Sequence, residues 1–455
     1  RFDALACSGN PDIQTPNLDR LANAGRRFSH CFVQNPVCMP SRVSMLSGRY
    51  PSNLGIMKMG YPAPEDLPTL ATILRGAGYT TANIGKLHFL PHSNRDHREP
   101  HPSYGFDHLE ISDEPGPYDD AYRAYIRKTH PDQLDLISSH VYPPAAKQWR
   151  EAINFEDTVR HPEHWEPWKT CAFAGSDDAT HTAFVGQRTI DYINAHHAGK
   201  PFFCISGFYS PHSPLVAPQS QLDRYDPTSF KPPNFPPEVE TRRNDAGFSD
   251  QILRQAMHGY YAMVSEVDDW IGRIMEALQY YGIAKNTMVV FTSDHGEYLG
   301  EHLCWGKWHP APDCVSRVPL LISGPGVEPG VCDGLVEAVD IAPTLLECAG
   351  VPVPASLDGF SLRPSFTGDL LHKRTGALIE DANHATSWRG LRTQTHRYIL
   401  HADGAERLYD LNAEFGEYRD VAVDPRQAES LNNCRHALAT RMIEIAYTHP
   451  KQWPY

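Results

Sequence analysis

Strand-like segments alternate with helix-like segments along about the first 350 residues of the chain. Residues 201–208 and 287–292 are apolar runs of the length of a buried strand, and residues 178–197 and 250–281 carry apolar side chains at helical spacing. Strands connected through helices are usually parallel, because the helix returns the chain to the end of the sheet where the first strand began. The sequence therefore predicts an α/β fold with a mostly parallel central sheet flanked by helices.

Two regions depart from this alternation. Between residues 89 and 175, proline, histidine, aspartate and tyrosine dominate, which indicates an irregular insertion over the face that carries the site. After about residue 370, short strand-like segments precede a helix-like segment at 427–448. We expect an α/β catalytic domain over 1–365 and a smaller α+β subdomain over 366–455, with a short antiparallel sheet and a closing helix.

The charge and hydropathy of the chain exclude two classes of partner. The 55 acidic and 41 basic residues give a formal net charge of −14, and no basic stripe is visible. A nucleic acid is therefore not an expected partner, and an anionic substrate would need positive charge that is concentrated locally. No apolar run approaches the ~18 residues of a membrane-spanning helix, so no membrane span is expected. The residues leave open whether the protein is cytoplasmic, periplasmic or secreted.

The most informative stretch is Cys38-Met39-Pro40-Ser41-Arg42. A cysteine stands there at a predicted helix start, with a proline near the first turn and a guanidinium within reach. A helix N-terminus and a nearby cation both stabilise negative charge, so an anionic ligand is favoured beside Cys38. Taken alone, the pattern also fits a buried cysteine next to an ordinary helix start.

Two further strand ends carry polar side chains. If the chain stays extended after the strand that ends near Ile84, Lys86 and His88 project from one face, an arrangement suited to binding an anion and moving a proton. Asp294 and His295 follow an apolar strand, at the sheet edge where ligands bind in open α/β folds, and they offer an oxygen and a nitrogen ligand to a metal. Either pattern alone is also typical of an ordinary loop.

A fourth pattern places His212 between Pro211 and Pro214, directly after the predicted strand 201–208. The two prolines restrict the backbone and would hold the loop rigid. A solvated histidine in a proline-rich turn is the alternative interpretation.

Together these segments resemble the sulfatases of the alkaline phosphatase superfamily. The run from Cys38 to Arg49 is similar to their signature C-x-P-S-R-x-x-x-L-T-G-R, with Ser47 where threonine is usual. The other patterns resemble the G-K-x-H, P-H-x-P and S-D-[NH]-G elements of the family, and Lys307 resembles its G-K lysine upstream of R-V-P.

The resemblance implies a sulfatase activity, with a sulfated small molecule or glycan as substrate. A formylglycine-generating enzyme would oxidise Cys38 to formylglycine, whose hydrated aldehyde is the nucleophile. The implied cation is Ca²⁺, with Mg²⁺ or Mn²⁺ as the alternatives. The implied roles are anion binding by Arg42, Lys86 and Lys307, proton transfer by His88 and His212, and metal binding by Asp294, His295 and the group derived from Cys38.

One feature of the family has no counterpart in the sequence. Sulfatases usually begin with an apolar strand that ends in one or two metal-binding aspartates, whereas this chain reads Arg1-Phe2-Asp3 just past that point. We expect such a strand, with at least one metal-binding aspartate, upstream of Arg1. Two other functions remain open: a phosphonate or phosphate ester hydrolase of the same superfamily, and a catalytically silent glycan-binding relative.

Overall fold

The computed structural model describes residues 1–92, 95–137, 144–153, 166–307, 312–368, 374–381 and 387–446. The strands are β1 Arg26–Phe32, β2 Thr80–Gly85, β3 His108–Ile111, β4 Thr170–Ala172, β5 Phe202–Gly207, β6 Leu215–Ala217, β7 Val289–Thr292, β8 Arg317–Ser323, β9 Gly330–Glu337, β10 Ala377–Asp381, β11 Trp388–Arg392, β12 His396–His401 and β13 Glu406–Asp410. The α-helices are α1 Pro16–Asn23, α2 Cys38–Ser47, α3 Pro51–Leu54, α4 Leu70–Gly76, α5 Ala121–Thr129, α6 Pro144–Ile153, α7 His181–His196, α8 Gln219–Leu222, α9 Pro237–Glu240, α10 Asp250–Tyr280, α11 Asp313–Ser316, α12 Ile341–Cys348 and α13 Ala428–Ala446. Among the described residues, none of these helices combines the length and apolar character that crossing a membrane requires.

The central strands form two groups. Strands β3, β2 and β5 are parallel neighbours. The second group has the order β7-β8-β1-β9, in which β1 and β9 are parallel while β8 is antiparallel to both of its neighbours. Side chains of β5 alternate between helices on the two faces, since Phe202 and Cys204 pack near α5 and α7 while Phe203 packs near α4 and α12. The predicted α/β fold is confirmed, with β8 as its antiparallel member.

The C-terminal region forms a second, antiparallel sheet. Strands β10 to β13 pair in sequence order, as successive hairpin partners do. Helix α13 covers this sheet through Leu431, Cys434 and Leu438, which pack with Leu378 and Leu391. The predicted antiparallel sheet and closing helix are confirmed, and the boundary at residue 365 stays a prediction.

The region between residues 89 and 175 contains regular elements that the sequence pattern did not reveal. Strand β3 pairs in parallel with β2 and so widens the central sheet, and α5, α6 and β4 also lie in this region. For β3 the reason is length, because its four residues are too few to show a periodicity. Segments 93–94, 138–143 and 154–165 of the predicted insertion lie outside the described residues.

A cavity of about 1070 Å³ is lined by both β5 and β7. Among the described residues, β5 is hydrogen bonded to β2 alone and β7 to β8 alone, so each strand has one unpaired edge. At the carboxyl ends of the two strands the cavity reaches Lys86, Asp294 and His295. The cavity therefore extends along β5 and β7 as far as the predicted site.

A buried ionic network joins the C-terminal region to the central sheet. Glu337, the last residue of β9, and Asp340 are fully buried. Arg374 Nε lies 3.0 Å from a Glu337 oxygen and Arg374 Nη1 lies 2.6 Å from an Asp340 oxygen, while Arg441 of α13 lies 3.3 Å from Glu337. Because Arg374 contacts both carboxylates, it provides most of the positive charge that balances Glu337 and Asp340.

We predict that Arg374→Ala destabilises the fold by about 3–5 kcal/mol, the usual effect of removing one partner of a buried ion pair. The free energy of unfolding in urea measures this effect. Arg407→Ala is the control, because Arg407 is 53% exposed in its pair with Asp420 and an exposed pair contributes about 0–1 kcal/mol. Equal losses in the two variants would contradict this account of the network.

Candidate active site

Cys38 lies at the point where the predicted site segments meet. It is the first residue of α2, is 1% exposed, and its Sγ lies 3.1 Å from His295 Nε2 and 3.7 Å from Lys86 Nζ. Burial opposes ionisation of the thiol, but Lys307, Lys86 and His295 together hold the pKa of Cys38 well below its usual value. The helix N-terminus adds to this effect, so the position favours a negatively charged group.

Asp294 follows β7 and is tied to the helix that begins at Cys38. Arg42 Nε donates to Asp294 Oδ2 at 2.6 Å, and Ser41 Oγ donates to the Asp294 carbonyl oxygen at 2.5 Å. Lys86 Nζ is 3.9 Å from the same carboxylate. Although burial opposes the charge, Arg42, His295 and Lys86 lower the pKa of Asp294, so the carboxylate is ionised. The sequence grouped Arg42 with anion binding, whereas here its guanidinium holds Asp294 and the Lys86 carbonyl oxygen, 2.9 Å away.

His295 is oriented as a metal ligand would be. Its Nδ1 lies 2.7 Å from the Gly296 carbonyl oxygen and donates to it, which orients the ring so that Nε2 faces Cys38. Ligand atoms of Cys38, Asp294 and His295 all lie within 4.8 Å of one another. An ionised oxygen ligand, an imidazole nitrogen and the position of Cys38 therefore fit a divalent cation, although Ca²⁺ usually takes six to eight ligands, mostly oxygens.

Lys86 and His88 reach the site by a route that differs from the expected one. Strand β2 ends at Gly85, and His88 has a φ of 56°, so the chain turns instead of staying extended. Gly85 itself has a φ of 89° and approaches Gly207 so closely that a Cβ would lie 2.3 Å from its oxygen. Both side chains are nonetheless buried near Cys38, and burial together with His92 lowers the pKa of His88 to about 4.

His212 and Lys307 form a pair on another side of Cys38. Lys307 Nζ lies 2.6 Å from His212 Nε2, and His212 Nδ1 lies 2.6 Å from the Ser213 carbonyl oxygen. Tyr209 also donates to that carbonyl oxygen, at 2.6 Å. Burial and the charge of Lys307 lower the pKa of His212 to about 4, so the ring is neutral and accepts a hydrogen bond from the ammonium group.

The loop that carries Lys307 is held by a residue to which the sequence gave no role. Glu297 accepts hydrogen bonds from the backbone N–H groups of Leu299, at 3.2 Å, and Gly306. It thereby joins the two ends of the loop just before Lys307. Glu297 directly follows the Asp294-His295-Gly296 pattern, and that proximity was the available signal.

All the predicted site residues in the described chain lie in one region, because they follow the carboxyl ends of β2, β5 and β7 or begin α2. Lys86 and Lys307 supply two ammonium groups beside the N-terminus of α2. Such an arrangement binds a tetrahedral oxyanion and stabilises negative charge that develops on it.

Comparisons with known proteins agree with this geometry. The family profile described as sulfatase matches residues 1–351. A second profile, described as the C-terminal part of N-sulphoglucosamine sulphohydrolase, matches residues 300–444. The two profiles together therefore cover nearly the whole chain.

Three relatives illustrate the range of the matches. An arylsulfatase of Clostridium perfringens is 28% identical over 95% of this chain and 88% of its own length. An N-acetylglucosamine-6-O-sulfatase of Bacteroides thetaiotaomicron is 26% identical over 94% of this chain and 80% of its own. The crystal structure of a phosphonate monoester hydrolase of Agrobacterium radiobacter superposes with a TM-score of 0.80 at 25% identity, over 98% of this chain and 94% of that one.

We predict that Lys307→Ala weakens the binding of inorganic sulfate. A charge-assisted hydrogen bond contributes about 1.5–3 kcal/mol, which is roughly 10- to 150-fold in Kd. Isothermal titration with sulfate measures this change. Lys285→Ala removes an exposed lysine outside the site and should leave the Kd unchanged. Wild-type sulfate affinity in Lys307→Ala would rule out its contact with the anion.

Proposed function

The chain belongs to the sulfatase family, and we propose that it hydrolyses a sulfate ester through a formylglycine made from Cys38 and a bound divalent cation. The observation that carries the proposal is the position of Cys38, which begins α2 and faces Lys86, Lys307, Asp294 and His295. A nucleophile there attacks sulfur while two ammonium groups stabilise the charge on the sulfate oxygens.

Formylglycine at position 38 is the proposed nucleophile. Its hydrated aldehyde has two hydroxyls. One attacks sulfur and displaces the alcohol, whose oxygen takes a proton as its bond to sulfur breaks; the other, once deprotonated, expels the sulfate from the carbon and regenerates the aldehyde. The proposal implies a formylglycine-generating enzyme as a partner during maturation. The interior position of Cys38, which is 1% exposed, supports oxidation before folding is complete.

Proton transfer is assigned to His88 and His212. Both imidazoles are neutral near pH 7, because burial lowers the pKa of each ring to about 4, with His92 and Lys307 as the respective charged neighbours. His88 is therefore suited to accepting a proton near Cys38. The pair of His212 and Lys307, whose nitrogens are 2.6 Å apart, holds a proton that a leaving oxygen can take.

The cation is assigned to Asp294, His295 and the oxygen that replaces Sγ at Cys38. We propose Ca²⁺, with Mg²⁺ or Mn²⁺ as the alternatives, because the modified site offers mainly hard ligands. A bound cation would polarise the sulfate oxygens and offset their charge. Arg42 contributes by holding the Asp294 carboxylate in place and ionised.

The proposed substrate is a sulfated small molecule or glycan. The relatives named arylsulfatase and N-acetylglucosamine-6-O-sulfatase support these two classes of leaving group. A phosphonate or phosphate ester hydrolase is the second candidate, favoured by the superposition on phosphonate monoester hydrolases. The same ammonium groups would suit a phosphoryl group.

We predict that mass spectrometry of the peptide containing Cys38 shows an aldehyde when the chain is made together with the maturation enzyme. Cys38→Ala should abolish turnover of an aryl sulfate with little change in the free energy of unfolding, because alanine does not disturb the start of a helix. Cys434→Ala, which removes a buried cysteine of α13, is the control and should keep full turnover. Full activity in protein whose Cys38 is an unmodified thiol would refute the mechanism.

We further propose that an extended segment upstream of Arg1 fills the cavity between β5 and β7 and adds a carboxylate to the cation site. Two observations support this: the facing edges of both strands are unpaired among the described residues, and Asp294 with His295 provides few ligands for Ca²⁺. A strand parallel to β5 in this cavity would end beside Asp294.

The prediction is that the native reading frame encodes an apolar strand with at least one aspartate directly upstream, and that the full-length protein binds one divalent cation per chain. Sequencing the 5′ region of the transcript and metal analysis of the purified protein test both parts. A start codon directly before Arg1, combined with no bound divalent metal, would contradict the proposal and favour the silent glycan-binding function.

A further inference from the structure

A buried carboxylate accepts hydrogen bonds from the backbone at His88. Asp113 follows β3, and its side chain is 0% exposed. Its Oδ1 accepts the backbone N–H groups of Leu87, at 2.9 Å, and His88, at 2.8 Å. His88 has a φ of 56°, a left-handed conformation that is uncommon for residues other than glycine, although histidine adopts it more often than most. The two hydrogen bonds to Asp113 stabilise that conformation and so set the direction in which His88 leaves the backbone.

A second histidine packs against the ring of His88. The imidazole of His92 is stacked on that of His88, with centroids 4.2 Å apart and planes at 20°. His92 Nδ1 lies 3.2 Å from Glu114 Oε2, and His92 Nε2 lies 3.5 Å from Asp113 Oδ2. Burial opposes a charge on His92, yet Glu114 and Asp113 raise its pKa to about 9. His92 is therefore an imidazolium between two carboxylates at neutral pH.

Aromatic neighbours restrain His92 from the side away from His88. The rings of Tyr118 and His97 meet it edge to face, at 5.4 Å and 5.8 Å. Arg95 adds a cation 3.4 Å from Asp113 Oδ2. The ring of His92 is thus fixed by ionic contacts and by packing, which makes it a rigid support for whatever is stacked on it.

His88 itself has few other restraints. Both of its ring nitrogens are buried without a hydrogen-bond partner among the described residues. The ring lies close to Cys38. The orientation of the His88 ring therefore depends on its own backbone, which the Asp113 carboxylate holds, and on the stacked ring of His92.

We propose that Asp113 and His92 are positioning residues that act through His88, with Asp113 fixing its backbone and His92 fixing the plane of its ring beside Cys38. This inference rests on the proposed role of His88 in proton transfer. The alternative is a purely structural role, in which substitutions lower stability and reduce activity irrespective of His88.

A double-mutant cycle separates the two interpretations. In mature wild-type protein, His92→Gln should lower kcat for an aryl sulfate by roughly 10- to 100-fold, the usual effect of a small misplacement of a catalytic group, with KM within about twofold. In a His88→Ala background, the same substitution should change kcat by less than about twofold, because residues that act as a unit are not additive. A full-sized loss in the His88→Ala background would overturn the proposal.

Two further variants test whether misfolding, instead of the loss of positioning, lowers kcat in His92→Gln. Asp113→Asn keeps an oxygen acceptor for the two backbone N–H groups and should show the same non-additivity with His88→Ala, with a smaller loss. His101→Gln is the matched control, since His101 is a histidine of the same segment whose Nδ1 contacts the Pro102 carbonyl oxygen at 2.8 Å. It should keep the wild-type kcat, and a comparable loss in His101→Gln would overturn the proposal.

A readout that does not need turnover separates this inference from the proposed function. In protein labelled at histidine ring carbons, the His88 resonance, assigned by its loss in His88→Ala, should be single and narrow, and it should broaden or divide in His92→Gln. An unchanged His88 resonance would overturn the positioning role. Absence of any sulfate or phosphate ester turnover in the mature wild type would instead reject the proposed function, leaving the resonance test decisive for His92.

Discussion

The ion pair between Arg42 and Asp294 is the interaction on which the site depends. Its 2.6 Å contact joins α2, which begins at Cys38, to the residue that follows β7. Without the guanidinium, the buried carboxylate would face Lys86, at 3.9 Å, and the imidazole of His295. The pair therefore fixes the position of Cys38, the proposed nucleophile, relative to Asp294 and His295, the proposed cation ligands, and it keeps the Asp294 carboxylate charged.

The charges around this ion pair leave an excess of positive charge, which a bound anion would balance. Arg42 Nε contacts Asp294 at 2.6 Å, Lys86 lies farther from the same carboxylate, at 3.9 Å, and Lys307 contacts the neutral ring of His212. The net charge of the chain is −14, so this local excess of positive charge is a property of the site. An acidic protein can bind a sulfate group in this way, because Lys86 is buried and Lys307 is partly buried, so solvent screens their charges less than at an exposed surface.

The sequence predicted the α/β fold because its strands and helices are long and strongly patterned. It also located Cys38, Asp294 and His212 correctly relative to strand and helix ends, since such ends follow directly from the hydropathy pattern. It was wrong about how Lys86 and His88 come together. Alternation along an extended strand was the argument, whereas the structure uses a turn that Asp113 stabilises from 25 residues away in sequence. Contacts of that range leave no periodic signal, which is why the hydrogen bonds of Asp113 to Leu87 and His88 could not be predicted.

The proposed function implies that the oxyanion site around Cys38 prefers sulfate esters to phosphorus esters. The most direct test compares kcat/KM of the mature, metal-loaded protein for 4-nitrophenyl sulfate, 4-nitrophenyl phosphate and a 4-nitrophenyl phosphonate, which share one leaving group. We predict the highest kcat/KM for 4-nitrophenyl sulfate. A higher kcat/KM for the phosphate or the phosphonate would contradict it and identify a phosphorus ester hydrolase built on the same site.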